Sequence, residues 1–172
     1  VHRIRIDVDD AGIASLLVRP RTYVHASVRI DDATYADVGV RLKGGPGSFV
    51  PLDGDYPVVS RSGNGRPGKS AFLVDFDRYE DDGDHLGLTK LTLNNLVQDP
   101  SGIHEYVGYT LFRAAGVPAS RTGFAVVHLN GQEKGLYAVV ESPDNDVFLD
   151  RWFGSHAGNL YEGSGGADLR VG

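Results

Sequence analysis

GNGRPGKSAFLVDFDRY, residues 63–79, decides between two folds. Its first eight residues satisfy G-x-x-x-x-G-K-[ST] at every fixed position. A phosphate-cradling P-loop needs a helix directly after the Lys-Ser pair, because the helix N-terminus supplies positive potential to the phosphates. Here Ala71, Leu73 and Asp75 alternate with Phe72, Val74 and Phe76, β-branched and aromatic residues dominate, and no helical stripe develops. The segment therefore predicts a strand. Pro67 inside the loop and the lack of repeated βα units point the same way. Residues 61–69 read as a surface loop entering that strand, with Lys69 at its start.

Working outward, the chain reads as a series of short strands. Val1–Val8 and Ser15–Val18 are short apolar segments around a turn at DDAG. Tyr23–Ile30 and Asp37–Lys43 alternate, with DDAT as the turn between them, and Val38, Val40 and Leu42 share one face. A glycine-rich segment, KGGPGSF, and a Pro-, Gly- and Ser-rich loop follow, reaching Gly68. Lys90–Asn94 is a further strand, with Leu91 and Leu93 on one face. A helix is predicted over Pro100–Ala115, capped by Asp99, with Ile103, Val107, Leu111 and Ala115 as its apolar stripe. Phe124–Leu129 and Gly135–Glu141 flank the turn signal Asn130-Gly131. A short helix after Ser142-Pro143-Asp144 reaches Trp152. The element order predicts an α+β fold, with a mostly antiparallel sheet packed on one main helix.

Composition removes several function classes. The net charge of −6 opposes a general nucleic-acid binder, which needs a basic surface. No apolar run approaches the roughly 20 residues of a membrane span. With no cysteine, disulfides and thiolate metal sites are impossible. The six histidines show no H-x-x-x-H spacing, and EDDGD at 80–84 fails the register of a calcium loop. No G-x-S-x-G accompanies a Ser-His-Asp set.

The order of chemistry-bearing residues suggests a second arrangement. A strand runs into glycine-rich residues 44–48, a later strand begins at Lys69, a helix carries Glu105, and two strands end at Glu141. This is the order of a protein-kinase small lobe, in which a strand lysine binds phosphates and a helix glutamate holds that lysine. The local wording adds to this. VGVRLKGGPGSF (38–49), GKSAFLVDFD (68–77), the long segment from Leu91 to Glu141 and DVFLDRWFGSHAGNLYEG (146–163) resemble the CotH family of spore-coat kinases and their relatives.

That resemblance implies a divergent kinase small lobe over residues 1–143, with a long loop at 44–68. Residues 144–172 would form a hinge, a short helix and the start of a further region. It implies ATP and Mg²⁺ as cofactors and a protein Ser or Thr hydroxyl as phosphate acceptor, in a spore-coat or cell-surface setting. Gly44, Gly45, Gly47 and Ser48 would approach the phosphates, Lys69 would hold them, Glu105 would pair with Lys69, and Glu141 would mark the adenine hinge. The chain contains neither H-R-D nor D-F-G, so the Mg²⁺ ligands are expected mostly beyond Gly172 and this chain alone is expected to be inactive. A non-catalytic coat-assembly or surface-binding module on the same scaffold is the alternative.

Overall fold

A computed structural model describes residues 1–52 and 69–161. Its elements are β1 (His2–Asp7), α1 (Asp10–Val18), β2 (Val24–Ile30), β3 (Ala33–Lys43), β4 (Ala71–Asp75), β5 (Lys90–Asn94), α2 (His104–Ala114), β6 (Thr122–Leu129), β7 (Gln132–Glu141) and α3 (Asp146–Phe153). β4 starts directly after Ser70, so the helix a P-loop requires is not there. GNGRPG itself, like most of the long loop expected at 44–68, lies outside the described residues.

The seven strands close into a barrel in the order β1-β2-β3-β4-β5-β7-β6. This corrects the expectation of a sheet packed on one main helix in the manner of a kinase small lobe. Closure comes from β1, which pairs antiparallel with β2 and parallel with β6; Ile4 faces both Ile30 and Val127, and Ile6 faces both Val28 and Leu129. Every strand has a side-chain period of two, so alternate apolar residues point inward all round. Ile4, Ile6, Val28, Val40, Leu42, Phe72, Val74, Leu91, Leu93, Val127 and Tyr137 fill the interior. The faces read for Val38, Val40 and Leu42 and for Leu91 and Leu93 are those that point inward.

Because the strands, with Leu16 of α1, fill this core, α2 is not needed to cover it. The helix starts at His104 rather than Pro100, and none of its residues is buried. Ile103, Val107 and Leu111, expected to pack inward, are 51%, 51% and 66% exposed. The opposite side of α2 meets the barrel: Tyr106 lies 5.5 Å from the Phe124 ring, and Tyr109 packs on Leu96, Ala138 and Val140. The Asp99 carboxylate caps the approach, accepting from Ser101 N (2.9 Å), Ser101 Oγ (2.6 Å) and His104 N (2.8 Å). Burial would raise its pKa, but these bonds outweigh burial and hold it down at about 2.

The segment around DDAG is a second correction. Residues 10–18 form α1, because Asp9 caps the helix by accepting from Gly12 N at 2.7 Å, and Gly12 and Leu16 are buried. The remaining order of elements is as read.

Asn130 and Gly131 form a two-residue turn between β6 and β7, with φ of 47° and 78°. The Asn130 side chain also reaches β1's end: Oδ1 accepts from Val8 N and Nδ2 donates to Val8 O, each at 2.8 Å. Asn130→Ala removes both bonds and places a Cβ-bearing residue without local support in the left-handed region. It is expected to lower the unfolding free energy by about 2 kcal/mol, measured by urea denaturation.

Candidate functional site

The outward-facing residues of β3, β4 and β5 build a cleft. Inward Val40 and Leu42 leave Arg41 and Lys43 outside, and inward Leu91 and Leu93 leave Thr92 and Asn94 outside. Two cavities of about 620 and 700 Å³ share Arg41, Lys43 and Asn94 as a common wall. The first adds Arg21, Gly44, Gly45, Ser48, Asp99 and Glu105. The second adds Tyr23, Leu73, Tyr109, Val140 and residues 141–144. One half is therefore cationic and lies against a glycine turn. The other carries tyrosines and runs to the end of β7.

Lys43, Asn94 and Glu105 form the chemical centre of the first half. Lys43 Nζ donates to Asn94 Oδ1 at 3.0 Å, and Asn94 Nδ2 donates to Glu105 Oε1. Burial pushes the Lys43 ammonium below its usual pKa; Arg41 and Arg21 push the same way, and Glu105 opposes them. Burial likewise pushes the Glu105 carboxyl up, with Asp99 adding to it and Asn94 and Lys43 opposing. Both groups are thus partly desolvated, which strengthens any interaction with a multiply charged ligand.

Lys69 was expected to face Glu105. Its Nζ instead donates to the Leu136 carbonyl of β7 and sits 4.4 Å from the centre of the Tyr137 ring. The ammonium whose charge acts on Glu105 is that of Lys43. Register explains the difference. Lys43 stands opposite Ala71, the first residue of β4, and Lys69 lies two residues before that ladder begins. Ala71 is small, so the Lys43 chain can cross β4 toward β5.

The glycine turn folds onto itself. Gly44 has φ +119°, and a Cβ there would lie 2.8 Å from Phe49 Cα, so only glycine fits. Gly45 N donates to Ser48 Oγ at 2.9 Å, and Phe49 N donates to Gly45 O at 2.9 Å. Arg21 clamps the turn by donating to Gly44 O and stacking 4.8 Å over the Phe49 ring. Asn95, buried, ties it to the start of β4 by donating to Ser48 O (3.0 Å) and Lys69 O (2.7 Å). Gly44, Gly45 and Ser48 line the cleft, whereas Gly47 is pressed against Gln98.

Glu141 ends β7 with its side chain only 1% exposed, held by two guanidinium groups. Arg121 donates through Nε (3.2 Å), Nη2 (3.0 Å) and its backbone N (2.9 Å). Arg151 of α3 donates through Nη1 at 3.1 Å and also through Nη2. Burial would raise the Glu141 pKa, but these donors outweigh it and the net shift is downward. The segment beyond is fixed by buried Asn145, which accepts from Thr89 Oγ1 and Lys90 N and donates to Lys90 O and Ser142 O. An ion pair of 2.7 Å joins Lys90 to Asp144.

Of the residues expected from sequence, Gly44, Gly45, Ser48, Glu105 and Glu141 border one cleft, while Lys69 and Gly47 point elsewhere. Sequence reasoning missed Lys43, Asn94, Arg41 and Arg21. The signal for three of them was present: alternation places Arg41 and Lys43 opposite the Val38-Val40-Leu42 face, and Asn94 opposite Leu91 and Leu93. Arg21, in the connection before β2, has no such signal.

Among described residues no helix is long and apolar enough to cross a membrane, and no group of three or more His, Asp or Glu side chains could hold a metal ion. No curated protein matches the chain. A family model described as CotH kinase protein matches residues 62–170. Asn94, Glu105 and residues 141–144 lie within that match, and the cationic wall from Arg21 to Ser48 precedes it. The match takes in more than half of the 172 residues, and the chain belongs to the CotH kinase protein family.

Proposed function

We propose that the cleft binds ATP and that this chain is the nucleotide-binding part of a CotH-family protein kinase, which transfers the γ-phosphate to a Ser or Thr hydroxyl of a protein. The observation that carries the reading is the Lys43–Asn94–Glu105 set beside a glycine turn. Phosphoryl transfer asks a protein chiefly for positioning and for stabilisation of phosphate charge. Lys43, Arg41 and Arg21 supply cations on one side of the cleft, and Leu73, Val140, Tyr109 and Tyr23 offer an apolar and aromatic slot to the base. In this reading Lys43 takes the role that order along the chain had suggested for Lys69.

The acidic groups of the cleft do not fit a resident Mg²⁺. Asp99 is committed to Ser101 and His104 N, Glu141 to Arg121 and Arg151, Asp144 to Lys90, and Glu105 to Asn94.

Isothermal calorimetry of the chain with ATP, with and without Mg²⁺, tests the reading. Saturable binding with a dissociation constant between about 1 μM and 1 mM is expected. Absence of saturable heat up to about ten times that upper limit would reject it. One observation favours the alternative of a non-catalytic binding module: Gly45 N–H is already spent on Ser48 within the turn. That alternative predicts ATP-independent partner binding that Lys43→Met leaves intact.

A further inference from the structure

Three elements of the cleft meet through one neutral side chain. Asn94 lies on β5, anchored by ladders to β4 and β7, with Leu93 beside it fully buried. Its Oδ1 accepts from Lys43 Nζ of β3 at 3.0 Å, and its Nδ2 donates to Glu105 Oε1 of α2. An ammonium has only donors and an ionised carboxylate only acceptors. A primary amide can serve both at once, and in one orientation only. An interposed amide also differs from a direct ion pair, because it adds no net charge between the two groups.

We propose that Asn94 is a positioning residue for the phosphate-facing ammonium, holding Lys43 Nζ at the cleft floor and tying its position to helix α2 through Glu105. One ammonium hydrogen is committed to the amide, and the others remain for an incoming phosphate. Any displacement of α2 that carries Glu105 pulls on the same amide, so the helix and the lysine move together. The inference rests on the nucleotide reading above, and its test separates the two.

The variants are Asn94→Leu, close in volume and lacking both bonds, and Asn94→Asp, which can accept from Lys43 but repels ionised Glu105. Two quantities are read. The first is affinity for ATP and for adenosine. The second is the titration of the Glu105 carboxyl carbon by NMR in the nucleotide-free chain. The other titratable or charged groups facing the pair are Asp99, Tyr109, Arg41 and Arg21, and the variants leave them unchanged. ATP affinity is expected to fall about tenfold in Asn94→Leu, as for loss of one hydrogen bond to a charged group, while adenosine affinity stays the same. The Glu105 titration is expected to move to higher pH in both variants, and further in Asn94→Asp. An unmoved Glu105 titration overturns the bridge, even if ATP binding weakens. Equal losses for ATP and adenosine overturn the positioning role. If the wild-type chain binds no ATP, the nucleotide reading and the phosphate role of Asn94 both fall, and the Glu105 titration still decides whether the bridge exists. Should Asn94→Leu fail to fold, Asn94→Ala, which also lacks both bonds, carries the same two readouts.

Discussion

Lys43→Met is expected to weaken ATP binding by roughly 10- to 100-fold, the largest single loss in the cleft. A methionine retains the length and apolar stem of the lysine but deletes the ammonium. The lost term is a charge-assisted contact to phosphate in a partly desolvated site, where such contacts exceed their value in water. Lys69→Met is the matched comparison. Its ammonium is occupied with the Leu136 carbonyl and the Tyr137 ring, so the expected loss of ATP affinity is within about twofold. Calorimetry on both variants distinguishes the two lysines directly. The reverse ranking would return the phosphate role to Lys69 and remove the basis for the Lys43–Asn94–Glu105 reading.

Glu141→Ala is expected to lower the unfolding free energy by about 3 kcal/mol, toward the lower end of values for breaking a buried ion pair, because both arginine partners are partly exposed. The carboxylate joins the start of β6, the end of β7 and α3, so its loss releases three segments at once. Its pH dependence has a defined sign. Burial raises its pKa, the arginine donors lower it more, and the folded value lies below the unfolded one. The stabilisation is therefore fully present above the ordinary glutamate range near about 4.3 and is lost as pH falls through the lower folded value. Glu105 shifts the opposite way, upward through burial, so it takes up its proton first on acidification. Urea denaturation of wild type and Glu141→Ala from neutral to acid pH should show two curves converging as pH falls. Parallel curves would mean that the carboxylate's charge is not what stabilises this corner.

Both expectations depend on features with different visibility in the chain. Alternation in Val38–Leu42 and Leu91–Leu93 determined which residues face the core, because a strand has one side-chain period whatever surrounds it. Asn130-Gly131 marked the turn, because few other pairs take two successive positive φ angles, but not its length: the strand read from Gly135 begins at Gln132. AFLVDF after Lys69-Ser70 excluded the P-loop by the same local rule. The family wording from Leu91 to Glu141 also stood in the sequence alone.

The amphipathic stripe of α2 misled because a periodic face predicts burial only where a core remains to be covered. Here the strands had already closed around theirs, and the barbed side with Tyr106, Tyr109 and Glu105 became the packed one. Closure itself depends on the parallel pairing of β1 with β6, residues more than a hundred positions apart, and no local pattern encodes a partner at that distance. The choice between Lys43 and Lys69 likewise belongs to tertiary structure. Both flank glycine-rich sequence, but only the β3–β4 register places Lys43 across small Ala71 from Asn94 and leaves Lys69 beyond the ladder's end. Side-chain period is a property of the chain, whereas strand partners and register are set by the packing of the whole barrel.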